Sequence, residues 1–174
     1  MDKNTDLAGY IRKVPDWPKK GILFYDITTL LADADAFAEA VRQIAAPFRD
    51  KHVDVVVSVE ARGFIFGGAL AHELHAGFVP ARKPGKLPFT KIRAEYALEY
   101  GTDALEMHSD ALKPGQRVLI FDDVLATGGT AVATANLVER LGGQVVALAF
   151  LIDLTFLPGR QRLAGREVFA AVKY

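Results

Sequence analysis

Residues 118–130 decide the fold, and they read Val-Leu-Ile-Phe-Asp-Asp-Val-Leu-Ala-Thr-Gly-Gly-Thr. An apolar run ends in two carboxylates, a turn of small residues follows, and a helix-like segment then stops at Gly142 and Gly143. The pattern predicts a buried strand, a tight turn and the start of a helix. Because a helix N-terminus presents free N–H groups and a positive dipole end, this junction should stabilise an anion.

Strands and helices alternate along the chain on both sides of this junction. Each expected strand is almost wholly apolar, which is typical of a parallel sheet covered on both faces. We therefore predict an α/β fold with a doubly wound, mainly parallel sheet flanked by helices, whose ligands bind at the carboxyl ends of the strands. The predicted strands are 53–59, 77–81, 117–121, 145–152 and 167–172, and the predicted helices are 35–49, 65–75 and 130–141.

Length and composition exclude several classes of protein. The 174 residues show no internal boundary, so we expect a single domain over 1–174. Its 21 basic and 21 acidic side chains give no bulk electrostatic case for nucleic acid as a partner. The chain has no cysteine for a disulfide or a thiolate zinc site, and its four histidines look structural. Since no membrane span or secretory signal is evident, we expect a cytoplasmic protein.

The chemistry of the junction is more specific than anion binding. Thr127 and Thr130 add hydroxyl donors, and the missing Walker A lysine argues against an ATP-hydrolysing loop. Asp122 and Asp123 would repel a phosphate unless they accept hydrogen bonds from hydroxyl groups, such as those of a ribose. The simpler alternative is an ordinary strand–turn–helix junction with two exposed acids.

Residues 121–130 resemble the motif with which type I phosphoribosyltransferases bind 5-phosphoribosyl-1-pyrophosphate (PRPP). The resemblance implies that Asp122 and Asp123 hold the ribose hydroxyls. It also implies Mg²⁺ as a cofactor, held through the phosphates of PRPP and not by direct protein ligands. The residues expected to bind the 5-phosphate are Ala126, Thr127, Gly128, Gly129 and Thr130.

Two segments in the first half of the chain resemble adenine phosphoribosyltransferases. Residues 14–28, within an N-terminal hood region expected over 1–33, resemble the part of that family that covers the purine. The resemblance implies adenine binding by Phe24, Tyr25 and Leu125. Residues 59–67 resemble the family's pyrophosphate loop, which implies pyrophosphate binding by Arg62 and a non-proline cis peptide at Glu60–Ala61. Taken singly, Phe24 could instead be core, and Arg62 half of a surface ion pair.

Residues 82–101 break the alternation of strands and helices. They contain clustered cations and no clear periodicity, which predicts a flexible catalytic loop. The stretch again resembles adenine phosphoribosyltransferases, and this implies pyrophosphate binding by Arg82, Lys83 and Lys86. It also implies an acid/base role for Glu99. The alternatives are a solvated charged loop and a solvent-facing glutamate.

The resemblance implies a homodimeric purine-salvage enzyme that converts adenine and PRPP into AMP and pyrophosphate. Two other hypotheses stay open. A phosphoribosyltransferase for hypoxanthine, guanine or xanthine would share the phosphate site and differ in backbone groups near Phe24. A non-catalytic PRPP-sensing regulator would usually add a DNA-binding module, for which this chain has no spare length.

Overall fold

A computed structural model describes residues 6–97 and 101–174. Its strands are β1 (Arg12–Pro15), β2 (Leu23–Asp26), β3 (Val55–Val59), β4 (Gly77–Ala81), β5 (Lys91–Ala97), β6 (Thr102–His108), β7 (Arg117–Leu125), β8 (Gln144–Asp153) and β9 (Val168–Lys173). Its α-helices are α1 (Thr28–Ala32), α2 (Ala34–Ala45), α3 (Gly63–Glu73), α4 (Gly129–Arg140) and α5 (Gly159–Arg162), and 3₁₀ turns span Leu7–Tyr10 and Ala46–Phe48.

The central sheet has five parallel strands in the order β4-β3-β7-β8-β9. Successive residues of β7 face opposite layers, so Leu119 and Phe121 join a core with α2 and α3, while Val118 and Ile120 join one with α4. Both faces of the sheet are therefore covered. This arrangement confirms the predicted α/β fold with a parallel sheet.

The predicted strands lie where the sequence placed them, with one informative difference in β7. This strand continues to Leu125 and does not end at residue 121, because Asp122, Val124 and Leu125 still pair with β8. The two carboxylates therefore belong to the strand itself. In the first predicted helix, the α-helical part ends at Ala45 and a 3₁₀ turn containing Pro47 follows.

Residues 82–101 contain more regular structure than the sequence indicated. Of the described residues in this stretch, 82–90 form a loop, whereas β5 pairs with β6 in an antiparallel hairpin. The expectation of a stretch without secondary structure is wrong for β5. Its inward residues Ile92, Ala94 and Tyr96 pack on the α4 side of the core, and the charged residues Arg93 and Glu95 alternate with them along the strand.

The N-terminal region forms a second hairpin, in which β1 pairs with β2. Arg12 and Asp26 join its strands through an ion pair of 2.6 Å. Residues 1–5 of the predicted hood lie outside the described part of the chain. In the described residues, no helix is both long enough and apolar enough to cross a bilayer.

Helix α3 lies unusually close to β3 at Gly67. Ser58, fully buried on β3, donates a hydrogen bond of 3.0 Å to the carbonyl oxygen of Phe121. A Cβ atom added at Gly67 would lie 2.5 Å from Ser58 Cβ, whereas one added at neighbouring Gly68 would meet nothing within 4 Å. The close approach of helix to sheet therefore depends on the first glycine and not on the second.

Substituting these two neighbouring glycines should have opposite effects on stability. We expect Gly67→Ala to lower the free energy of unfolding by about 1–3 kcal/mol, because the added methyl overpacks a buried contact. Gly68→Ala should leave it unchanged or raise it by up to about 1 kcal/mol, since alanine favours the helix. Urea unfolding of both variants measures the difference, and equal effects would contradict the packing argument.

Candidate active site

The site lies where β3 ends beside the last residues of β7. The two strands are parallel, with Ser58 opposite Phe121 in the register. The segment that leaves β3 therefore emerges beside Asp122 and Asp123. The peptide bond between Glu60 and Ala61 in that segment is cis, as the sequence predicted.

Asp122 and Asp123 form a desolvated carboxylate pair at this edge. Asp122 Oδ1 accepts a hydrogen bond of 2.9 Å from the Asp123 N–H. Arg62 Nε lies 2.7 Å from Asp123 Oδ2, yet its N–H is not directed at that oxygen, which accepts no hydrogen bond from the described residues. The pair thus keeps an acceptor for a ligand's hydroxyl group.

Burial shifts the proton affinity of both carboxyls. It raises the pKa of Asp122 well above its ordinary value, and the negative charge of Asp123 raises it further. Burial also raises the pKa of Asp123, although the positive charge of Arg62 opposes this. Both groups would gain from hydroxyl donors, because hydrogen bonds to a desolvated carboxylate replace the water it has lost.

The turn after β7 forms the phosphate-binding candidate. Gly128 precedes α4 with a left-handed φ of 81° and supplies no capping side chain, so the N-terminus of α4 is open to a ligand. The turn borders a cavity of about 60 Å³. A wider groove of about 540 Å³ near Arg93 and Arg140 contains none of the predicted site residues. The residues lining the smaller cavity include Asp122, Leu125, Ala126, Thr127, Gly128 and Thr130.

Helix α5 supports this turn from behind, which the sequence did not indicate. A Cβ atom at Gly159 would lie 2.4 Å from the carbonyl oxygen of Ala126, and one at Gly128 would lie 3.0 Å from that of Gly159. Arg160 of the same helix pairs with the buried carboxylate of Asp153 at the end of β8. The sequence Pro158-Gly159 predicts a turn, but only the folded chain shows that Gly159 packs against the turn after β7.

Basic residues of the loop that follows β4 converge on the carboxylate of Glu60. Its Oε2 lies 3.2 Å from Arg82 Nη2 and 3.4 Å from Lys86 Nζ. Its Oε1 accepts a 2.5 Å hydrogen bond from the backbone N–H of Lys83. Burial alone would raise the pKa of Glu60, but the hydrogen bonds from Lys83 and Arg82 and the nearby charges outweigh it, so the pKa is lowered. Glu60 is therefore a charged anchor for the loop beside Arg62.

Phe24 connects the N-terminal hairpin to this site. The Arg62 guanidinium carbon lies 5.0 Å from the centre of the Phe24 ring, and Trp17 contacts the same ring edge-on at 4.3 Å between centroids. Phe24 is half-buried, so part of its ring stays open to a ligand. An aromatic face beside Arg62, which itself lies against Asp123, suits a planar base.

Comparisons with known proteins agree with this geometry. The model of the phosphoribosyl transferase domain matches residues 28–163. The adenine phosphoribosyltransferase of Solibacter usitatus is 59% identical over 169 residues, which cover 97% of this chain and 98% of that protein. The chain belongs to the adenine phosphoribosyltransferase family. This confirms the predicted family and its enzyme class, the pentosyltransferases among the glycosyltransferases.

Solved structures of adenine phosphoribosyltransferases share the whole fold. The crystal structure from Thermoanaerobacter pseudethanolicus has a TM-score of 0.94 at 52% identity, covering 97% of this chain and 98% of that one. The structure from Saccharomyces cerevisiae, complexed with adenine and an imino-altritol bisphosphate, has a TM-score of 0.90 at 36% identity and covers 97% of each chain. The α/β architecture therefore matches that of the family.

Tyr25 and Glu99 were also predicted as residues of the adenine phosphoribosyltransferase site. The adenine contact predicted at Tyr25 stays a prediction for the backbone of that residue, because its side chain is buried and stacks on Tyr174 at 4.3 Å between ring centroids. Neighbours on a strand face opposite sides, so Tyr25 points away from the side of Phe24. Glu99, the predicted acid/base, lies outside the described residues.

The raised pKa of Asp122 predicts a conflict between stability and binding. Above the ordinary value of 3.8, a carboxyl whose pKa is raised by folding destabilises the folded state. We expect Asp122→Asn to raise the free energy of unfolding at pH 7, and this gain should fade as the pH falls towards 3.8. The same variant should bind AMP about tenfold or more weakly, because its ribose hydroxyls lose a charged acceptor.

Chemical denaturation from pH 3.5 to 8 and calorimetric titration with AMP measure the two effects of Asp122→Asn. Asp123→Asn is the matched variant and should gain less stability, since it also removes the partner of Arg62. A loss of stability at pH 7 in Asp122→Asn would contradict the assigned direction of the shift.

Proposed function

We propose that this chain transfers the 5-phosphoribosyl group of PRPP to adenine, giving AMP and pyrophosphate in purine salvage. The observation that carries the proposal is the convergence of three features at one edge of the sheet. They are the carboxylate pair at Asp122, the open helix N-terminus at Gly128 and the anchored cationic loop around Glu60. Relatives named adenine phosphoribosyltransferases support adenine as the base.

The proposed binding mode spreads PRPP across the strand ends. The 5-phosphate lies on residues 126–130, and the ribose hydroxyls donate hydrogen bonds to Asp122 and Asp123. The pyrophosphate lies towards Arg62 and the cationic loop with Arg82, Lys83 and Lys86. Adenine stacks on Phe24, a contact worth about 1–3 kcal/mol in other base-binding proteins, and Leu125 borders its pocket.

The reaction is then a displacement at C1 of the ribose by N9 of adenine, with inversion. Positive charge grows on the ribose while negative charge grows on the departing pyrophosphate. Arg62, Arg82 and Lys86 stabilise the second of these charges, and the carboxylates of Asp122 and Asp123 stabilise the first. These groups are already in place before the reaction, so little reorganisation is needed.

Mg²⁺ fits this site as an ion that arrives with PRPP. No group of three metal-ligating side chains lies within the described ranges. Asp123 Oδ2 accepts no hydrogen bond from the described residues, although Arg62 lies beside it, so the ion's water molecules could donate to it. When bound, the ion neutralises the leaving pyrophosphate.

We assign the proton transfer at the purine to Glu99. Tyr96, three residues earlier in the chain, packs against the start of α4 at Gly129, which supports a role near the site. A carboxylate there would take the N9 proton or share one at N7. Closure of the loop would exclude the water that otherwise hydrolyses PRPP.

A homodimer in the cytoplasm also belongs to the proposal. Ile65 on α3 and Phe78 on the edge strand β4 expose 46% and 39% of their surfaces. Such apolar side chains beside a sheet edge suit a contact with a second copy of the chain.

The substrate assignment predicts AMP formation from labelled adenine, PRPP and Mg²⁺. Parallel incubations with hypoxanthine and guanine should give little product, because a pocket built for a 6-amino purine leaves polar groups unpaired with a 6-oxo purine. Turnover with a 6-oxo purine alone would overturn the base assignment and keep the phosphate site. PRPP binding without turnover of any base would favour a regulator.

Glu99→Ala should lower kcat by about 10²-fold or more while the affinity for PRPP changes little, since general acid–base catalysis acts on the chemical step. Steady-state kinetics and PRPP titration measure the two quantities. Glu95→Ala is the matched control, because Glu95 lies on β5 with an exposed side chain. Full turnover in Glu99→Ala would contradict the acid/base assignment.

A further inference from the structure

Lys83 differs from the other cations of its loop in where its ammonium group lies. Arg82 and Lys86 direct their charges to Glu60, but Lys83 gives that residue only its backbone N–H. Its Nζ instead donates to the Tyr96 hydroxyl at 2.6 Å and to Asp103 Oδ2. Burial alone would lower the pKa of Lys83, but these two hydrogen bonds outweigh it, so the pKa is raised.

Tyr96 and Asp103 form the holding site for this ammonium group. They are directly opposed in the hairpin of β5 and β6, and the Tyr96 hydroxyl lies 3.2 Å from Asp103 Oδ2. The other carboxylate oxygen, Asp103 Oδ1, accepts the N–H of Ala104 at 2.7 Å. The carboxylate is therefore oriented by its own strand, and its remaining oxygen faces the lysine.

The holding site lies next to the phosphate turn. A Cβ atom added at Gly129 would lie 3.2 Å from Tyr96 Cδ2 and 3.3 Å from the carbonyl oxygen of Ala97. The hairpin thus touches the first residue of α4 while it binds the cation of the pyrophosphate loop. One pair of side chains links the two anion-binding parts of the site.

We propose that Asp103 is a positioning residue that holds the Lys83 ammonium in the ligand-free enzyme and competes with pyrophosphate for it. The proposal rests on the pyrophosphate-binding role proposed for Lys83. A single ammonium group cannot keep a close contact with Asp103 and give its full charge to a ligand. Binding of the pyrophosphate group therefore exchanges one anionic partner of Lys83 for another.

The exposure of the pair favours exchange over a fixed structural role. The side chains of Lys83 and Asp103 keep 38% and 31% of their surface exposed. A half-exposed ion pair contributes little to stability and separates at low cost. By contrast, the Glu60 side chain that holds Arg82 and Lys86 is only 8% exposed, so it is the more permanent anchor of the loop.

Asp103→Asn should tighten the binding of pyrophosphate about two- to fivefold, the range expected for release from a half-exposed ion pair. Calorimetric titration of the full-length protein with Mg²⁺-pyrophosphate measures this change. The affinity for AMP should stay the same, because AMP has no group that reaches Lys83. Asp110→Asn removes a negative charge from the exposed turn after β6 and serves as the matched control.

The double variant Asp103→Asn with Lys83→Met decides whether the effect acts through the lysine. We expect Lys83→Met alone to weaken pyrophosphate binding. In the double variant, Asp103→Asn should then give no further gain in affinity. Weaker or unchanged pyrophosphate binding in Asp103→Asn would overturn the proposal. So would a gain that persists without Lys83 or that appears equally in Asp110→Asn.

The same variants separate this proposal from the proposed function. If Lys83→Met leaves pyrophosphate binding unchanged, the binding role of Lys83 fails and the competition fails with it. AMP formation by the unmodified protein is measured independently. It would be retained in that case, because it depends on the adenine and PRPP sites as a whole.

Discussion

The parallel pairing of β3 with β7 is the constraint on which the site depends. Their register places Ser58 opposite Phe121, and the serine hydroxyl donates a hydrogen bond to the phenylalanine carbonyl. Because the strands run in the same direction and β3 ends beside Asp122, the segment with Arg62 emerges next to that residue. Gly67 lets α3 approach this pair closely enough to keep the segment in place. A shift in this register would separate the guanidinium from the carboxylates.

This geometry also places the acidic side chains of the site in one region and most of its basic side chains in another. Burial raises the pKa of both Asp122 and Asp123, and the positive charge of Arg62 opposes this shift. The cations of the neighbouring loop are collected by Glu60. A ligand with hydroxyl groups at one end and phosphates at the other satisfies both regions at once. Shifted carboxyl groups next to clustered cations are common at functional sites.

The sequence predicted the parts of this arrangement that depend on local pattern. The apolar strands, the helix starting at the Gly128-Gly129 turn and the paired acids all have period or composition as a signal. The period of two along a strand places the Tyr25 side chain opposite that of Phe24, so the adenine contact predicted at Tyr25 falls to its backbone. The support of the phosphate turn by Gly159 has no local signal, because it depends on a contact between segments about 30 residues apart.

The partners of the loop cations are also a tertiary property, and they explain how the free enzyme tolerates its cluster of positive charge. Unpaired cations close together repel one another, and this repulsion would favour an open, disordered loop. Glu60 and Asp103 oppose that repulsion, because each places a carboxylate next to a cation of the loop. In the proposed binding mode, the same pairing weakens the attraction for pyrophosphate, since a ligand gains only the difference between its own contacts and those it replaces. Under that proposal, the division between a buried acid for Arg82 and a partly exposed one for Lys83 sets how much of the loop's charge a ligand can use.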